Sequence, residues 1–287
     1  MPRSTRVAEA ATMLLAEHEA SRARIELLER MFALICARFG SAPIEGLDPA
    51  AVVAWRRELA APTRWQATQA FKQLTAWSAR RGFAGEDPLR ELRNPTPTRR
   101  EFTPFASWSQ IECIAEALPN RLALLPWLGA GCGLRPGELL GLSWEAIDLD
   151  RRELRVTHST WRGERRRTLK TRASRRVVPM RTKVADALAA TDMFQRSGLV
   201  LGTRTGGPLD LANVRRDWRR ALAAAQVEPR RIYDLRHTYA TWSLRAGVSI
   251  FQLARRMGTS VAMIDATYGH LAADAGDYER ALLDAWD

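Results

Sequence analysis

Four side chains could together open a phosphodiester: Arg135, Lys170, Arg236 and Tyr268, in that order along a chain of 287 residues. Two guanidinium forks can bracket a phosphate bidentately. Charge that builds on the non-bridging oxygens during attack is stabilised by fixed donors, by about 3 kcal/mol each in comparable sites. The leaving 5′-hydroxyl needs a proton, which arginine does not usefully release and lysine does when its pKa is lowered. A phenol, with an ordinary pKa near ~10, becomes a nucleophile beside positive potential or a base. Its ester with the phosphate stores the bond, so rejoining needs no ATP.

The neighbours of these residues fit such work. Arg135 lies in Gly131-Cys132-Gly133-Leu134-Arg135-Pro136-Gly137-Glu138. Pro136 suits the first turn of a helix, which puts Arg135 at its start, and Glu138 is near enough to orient a guanidinium. Arg236 lies in Tyr233-Asp234-Leu235-Arg236-His237-Thr238, where Asp234 is a good N-cap and Arg236 opens the helix it caps. A phosphate there would gain from guanidinium and helix dipole together. Lys170 is one of only three lysines among 44 basic residues, in a segment otherwise filled with arginine. Taken singly, each has an ordinary alternative: a turn arginine, a solvated charge, a packing tyrosine. No Gly-x-Ser-x-Gly and no clustered carboxylates or His/Cys set stand in the chain, so neither a serine nucleophile nor a bound metal is expected, and no cofactor.

Two blocks of structure must position these groups. Residues 5–93 read as a bundle of four or five helices. Val7, Ala11, Leu14 and Leu15 form one stripe; Ile25, Leu28, Met31, Phe32 and Ile35 form a second that ends near Gly40. Asp48-Pro49 starts a third helix, and Thr63 to Arg81 forms a fourth, closed by Gly82. Pro95, Pro97 and Pro104 with Arg99 and Arg100 read as a linker or, equally, a surface loop. The pattern is helical again from Trp108 to Trp144. Short alternating segments at 146–150, 153–160, 165–171 and 175–179 predict a small three-stranded antiparallel sheet. Helices return over 182–190, 209–225 and 234–246, two short helices bracket Gly258, and an amphipathic helix is predicted over 274–286. The fold class is mainly α with a small antiparallel sheet (α+β), divided as 1–94, a linker 95–104, and 105–287.

A net charge of +12 points to a polyanionic partner, DNA or RNA, or else to a merely basic surface. Cys36, Cys113 and Cys132 match no disulfide or zinc spacing and suit a reducing cytosol. The N-terminus lacks a basic-then-apolar leader pattern. The longest apolar stretch, around Leu122 to Leu134, is broken by Pro126 and falls short of the roughly 18 residues a spanning helix needs. A soluble, cytoplasmic protein is expected. The helical pattern begins within the first ten residues, which suggests that no further DNA-binding segment precedes it.

Together the boxes around Arg135, Lys170-Thr171, Arg236 and Tyr268-Gly269-His270-Leu271 resemble those of the tyrosine recombinase (phage integrase-type) family. The likeness covers residues 105–287; residues 1–94 are similar only in pattern to that family's core-binding domain. It implies a helical SAM-like domain plus an integrase-type catalytic domain that together clamp double-stranded DNA. It implies site-specific, metal- and ATP-independent strand exchange through a 3′-phosphotyrosyl link. Arg135 and Arg236 would hold the phosphate, with Lys170 as general acid, Tyr268 as nucleophile, Glu138 orienting and His270 in support. A homotetramer on DNA, docked through the C-terminal helix, is also implied. Two positions depart from the pattern: Tyr233 and Thr259 stand where the family usually has histidine, and histidine or tryptophan. Tyr233 can donate a hydrogen bond but is a poor base. Thr259 is expected to donate its hydroxyl to a phosphate oxygen. His237 should point roughly 100° away from Arg236 and support packing. The departures leave open a non-catalytic DNA-binding protein, and the chemistry is shared with a type IB topoisomerase.

Overall fold

Burying one apolar stripe per helix builds the first of two units, Met1–Arg100 and Glu101–Asp287, into which the chain folds. The computed structural model describes residues 5–97, 101–166, 175–192, 196–269, 280 and 283–285. In the first unit α1 (Val7–Glu17), α2 (Arg22–Phe39), α3 (Pro49–Glu58) and α4 (Ala61–Arg80) enclose Leu28, Ile35, Val52, Phe71 and Leu74. Asp48 caps α3 by accepting from the amides of Ala50 and Ala51, with Pro49 at the first helical position. Phe39, Trp55 and Phe71 meet with ring centroids 5.4–6.1 Å apart, two of the three pairs edge-on. The fourth helix starts at Ala61, earlier than the predicted Thr63, because Pro62 fits its first turn.

The second unit opens with α5 (Trp108–Ala117), α6 (Leu124–Cys132) and α7 (Pro136–Gly141). Among the described residues five short strands follow: β1 (Ile147–Asp148), β2 (Glu153–Val156), β3 (Ser159–Trp161), β4 (Glu164–Arg166) and β5 (Arg176–Pro179). Next come α8 (Thr182–Ala189), α9 (Leu211–Ala224), α10 (Ile232–Arg245), α11 (Ile250–Met257) and α12 (Val261–Tyr268). A mainly α chain with a small antiparallel sheet is thus observed. The three-stranded sheet has the order β1-β2-β5, with Leu154 opposite Val178 and both fully buried. Phe102 and Pro104, inside the stretch read as linker, belong to this unit: Phe102 packs beside Tyr239 and Tyr268, and the Pro104 carbonyl accepts from Arg230.

Two expectations need correction. The predicted strand 153–160 is two strands, because β3 leaves the sheet and pairs with β4 as a separate hairpin against α7. Gly137 and Gly141, one turn apart on α7, permit this; a Cβ on either would meet the backbone of Thr160 or Ser159 within 3.0 Å. The helix carrying Arg236 starts at Ile232, so Asp234 is its third residue and not its cap. The Asp234 carboxylate instead reaches back, accepting from the Arg231 amide at 2.8 Å and its guanidinium at 2.7 Å. Arg236 therefore sits in the second turn. The helix predicted over 274–286 lies outside the described residues except at 280 and 283–285.

Gly133 sets the path between α6 and Arg135. It closes α6 in the left-handed region at φ 64°, and a Cβ there would clash with the Tyr239 ring. Gly133→Ala should lower the unfolding free energy by about 2–4 kcal/mol, from the left-handed backbone plus overpacking. Urea denaturation of the purified chain measures this; a loss below 1 kcal/mol would mean the turn relaxes freely.

Candidate functional site

The site is built around one corner of backbone. Helix α11 ends at Met257, Gly258 turns the chain at φ 60°, and α12 leads from Val261 to Tyr268. The last carbonyls of any helix lack intrahelical partners and carry the negative end of its dipole. Here three arginines from three other parts of the fold take three consecutive carbonyls, the last two of α11 and that of Gly258 just past it. Arg176 on β5 donates Nε to the Arg256 carbonyl at 2.6 Å. Arg236 on α10 donates Nη2 to that of Met257 at 2.6 Å. Arg135, just before α7, donates Nη2 to that of Gly258 at 2.7 Å.

Each guanidinium has a second anchor. Arg236 is only 2% exposed, and its Nη1 donates to the Gly133 carbonyl at 2.6 Å. Burial, and then the nearby Arg135 charge, pull its pKa down to about 10, which leaves it cationic at neutral pH. Arg135 keeps 33% of its side chain exposed and donates Nη1 to Glu138 at 2.8 Å. Glu138 is itself buried. Burial alone would raise its pKa, but the Arg176 hydrogen bonds and charge, with the Arg135 amide and charge, hold it below the usual carboxylate range. Among the described residues no group of three or more His, Cys, Asp or Glu is placed to hold a metal ion.

Tyr268 ends α12 and is 4% exposed. Its hydroxyl is 2.7 Å from Nδ1 of His237, one residue past Arg236 on α10. The imidazole stacks on Phe102 at 4.0 Å with rings 8° from parallel, and Phe102 meets Tyr268 edge-on at 5.5 Å. Burial pushes the Tyr268 phenol above its ordinary range, while the Arg236 charge pulls the other way. Burial drives His237 down to about 4, against the Asp234 charge, so its ring is neutral at pH 7. His237 packs on Phe102, and its contacts include the hydroxyl of Tyr268.

The structure thus gathers Arg135, Glu138, Arg236, His237 and Tyr268. Tyr233 is at the edge, 38% exposed, with its ring 5.1 Å from that of His237. Thr259 is half-buried just past the corner, its amide donating to the Ala254 carbonyl at 3.0 Å. Lys170 and His270 lie outside the described residues. Sequence reasoning missed Arg176 and Phe102. Arg176 is one of many arginines in a basic segment, and Phe102 stands among linker-like prolines; only the fold distinguishes them.

Comparison with known proteins comes to the same place. Residues 107–274 match the phage integrase family. A tyrosine recombinase XerC-like protein of Caldanaerobacter subterraneus subsp. tengcongensis is 32% identical over 207 residues, 61% of this chain and 53% of that one. A tyrosine recombinase XerC of Mycobacterium sp. (strain JLS) is 28% identical over 268 residues, 87% of each. The solved Tn1549 transposon integrase in complex with a circular intermediate DNA superposes with a TM-score of 0.79 at 17% identity, covering 99% of this chain and 100% of that one. The last is a likeness of fold. The chain spans about half the length of the first two curated relatives it matches.

The His237 environment has a pH signature. Its pKa is lowered on folding from about 6.5 to about 4, so between those values the unfolded chain binds the extra proton. This contribution to stability is complete above pH 6.5 and is lost as pH falls toward 4. Denaturation at a series of pH values should show that loss, and His237→Phe should flatten it across the same window. Equal slopes for both proteins would place His237 in a more solvated setting.

Proposed function

The chain belongs to the phage integrase family, and from that premise we propose that it is a site-specific DNA recombinase that cuts and rejoins strands through a 3′-phosphotyrosyl intermediate. One observation carries the reading: Arg135 and Arg236, distant in the chain, converge on adjacent carbonyls of the corner that leads to Tyr268. A basic balance of +12 supports a nucleic-acid partner. The family-like relatives are named tyrosine recombinases, and the Tn1549 integrase was solved on DNA.

In this reading the scissile phosphate sits against Arg135 and Arg236, which meet the growing charge on its non-bridging oxygens. The Tyr268 oxygen attacks phosphorus, the bond to the 5′-oxygen breaks, and Lys170 gives that oxygen its proton. The phenolic proton passes to the group already in contact with it, Nδ1 of His237. A phosphate anion beside the imidazole raises the ring's basicity, and the Arg236 charge works against the burial that keeps the phenol protonated. His237 thereby takes the part of the base that Tyr233 cannot play. Thr259 adds a hydroxyl donor to the phosphate. The arginines supply the charge stabilisation, so neither metal nor ATP enters.

Residues 1–94 act as the core-binding domain that completes the clamp on duplex DNA. Assembly into a tetramer on DNA through residues 274–286 belongs to the same reading, as does a cytoplasmic setting; no helix of the described residues is long and apolar enough to cross a membrane.

Covalent capture tests the function. Wild-type protein is mixed with a nicked random-sequence duplex library, denatured, and the bound DNA sequenced. A denaturant-resistant adduct with a shared site is expected, unaffected by EDTA and absent from Tyr268→Phe. His237→Phe should slow adduct formation by about 10²-fold or more, the usual scale for a general base. DNA binding without adduct would favour the non-catalytic protein; supercoil relaxation without site preference would favour a topoisomerase.

The two departures give a further check. Tyr233→His and Thr259→His should leave single-turnover cleavage of the captured site intact or raise it. Complete loss in both variants would remove the roles assigned to Tyr233 and Thr259.

A further inference from the structure

Arg176 stands apart from the other two arginines on the corner. Its side chain is 5% exposed, and all three guanidinium nitrogens are engaged: Nε on the Arg256 carbonyl, Nη1 and Nη2 on Glu138. It touches the carboxylate that seats Arg135 and the carbonyl two residues before the one Arg135 holds. The two carboxylate oxygens of Glu138 are shared evenly. Oε1 accepts from Arg135 Nη1 at 2.8 Å and from Arg176 Nη1 at 3.0 Å. Oε2 accepts from the Arg135 amide at 2.9 Å and from Arg176 Nη2 at 2.8 Å. Beyond Glu138, β5 and α11 are cross-tied: Arg256 returns a bond from Nη1 to the Val177 carbonyl at 3.0 Å.

We propose that Arg176 is a positioning residue for strand cleavage: it fixes the Glu138 carboxylate on which Arg135 hangs, and ties that carboxylate to the α11 corner that leads to Tyr268. The proposal rests on the recombinase reading for its chemistry, but not for its geometry.

The physical argument is one of desolvation and shape. A buried carboxylate with two partners removed is driven to protonate or to rotate toward water. Arg176 provides two charge-assisted bonds, and of the influences that keep Glu138 ionised its own are the largest. Without it, Glu138 no longer presents two fixed oxygens, and Arg135 loses its planar seat. Its remaining bond, to the Gly258 carbonyl, allows the guanidinium to swing. A displacement of about 1 Å at such a group costs on the order of 10²-fold in rate. Lysine could not replace Arg176, since a single ammonium cannot span two carboxylate oxygens and a carbonyl in one plane.

Two readouts decide it. The first needs no DNA. In the full chain, nitrogen NMR of the Arg135 guanidinium should give separate Nη1 and Nη2 signals, since each is held by a different acceptor. In Arg176→Met these should merge through fast rotation. Unchanged Arg135 signals would overturn the proposal whether or not the protein cuts DNA.

The second uses the duplex recovered by covalent capture. Arg176→Met should slow single-turnover adduct formation at saturating DNA by about 10²-fold, with affinity little changed. On the same duplex with a neutral methylphosphonate at the scissile position, most of that deficit should vanish, because the charge that Arg135 meets is gone. An equal deficit on both substrates means a general structural role and overturns the proposal. Should Arg176→Met melt too low to assay, Arg176→Lys carries the same two readouts, with a smaller loss. Failure of the wild-type chain to form any adduct counts against the recombinase reading alone, and the NMR result still stands.

Discussion

Three guanidinium groups on three consecutive carbonyls, the last two of α11 and that of Gly258 beyond it, are the constraint from which the rest of the site follows. A helix C-terminus is a poor place to bury, because its carbonyls have no partners within the helix. A cluster of arginines is likewise poor to bury, because like charges repel and each loses its hydration. Placed against one another, the two problems cancel: the carbonyls gain strong donors, and the cations gain the negative end of a dipole. Glu138 adds a full negative charge in direct contact, between Arg135 and Arg176. The corner at Gly258 is thereby pinned from α7, β5 and α10 at once, and α12 inherits its direction from that corner.

The aromatic side of the site obeys a different rule. Tyr268, His237 and Phe102 form a stacked and hydrogen-bonded group that burial keeps electrically neutral, with the phenol pushed up and the imidazole pushed down. In this state the hydroxyl has a partner but little nucleophilic character. The hydroxyl and Nδ1 satisfy one another while the charged forms of both groups are held back by burial. In the recombinase reading, stability of the resting site and reactivity of the loaded one draw on the same low-dielectric surroundings.

What could be read from the sequence was what is local. Arg135, Pro136 and Glu138 lie within four residues, and their capping geometry follows from helix spacing alone. The mainly α class and the existence of most helices followed from apolar period. The break between β2 and β3 did not, since residues 153–160 alternate without a Gly or Pro; the cause lies in the glycine face of α7, earlier in the chain. Asp234 suited both the cap and the third position of its helix, and the tie was broken by Arg231, whose amide and guanidinium both reach its carboxylate. Helix spacing around Arg236 could not reveal that α12 brings the Tyr268 hydroxyl to His237. Arg176 was hidden by abundance: in a chain with 44 basic residues, arginine type carries little information until burial and partners are known.

That abundance also bears on how a phosphate could enter without dismantling the site. Arg135 commits Nη1 and Nη2 to one bond each, and Arg236 does the same. Each of those nitrogens carries a second N–H, and each Nε a further one, so the planar fork can hold the backbone corner and still address a ligand. An ammonium in either place would have its three donors directed from a single point, and meeting a phosphate would mean releasing a carbonyl. Exposure then orders the encounter. In the proposed reading Arg135, one-third exposed, is the charge an incoming anion meets first, whereas Arg236, at 2%, acts only on an anion already stripped of water on that side. The same stripping strengthens its pull on phosphate oxygens. The residue that is hardest to bury is therefore the one with the most to contribute once the site is filled, and the carbonyls of Gly133 and Met257 are what let it wait there as a cation.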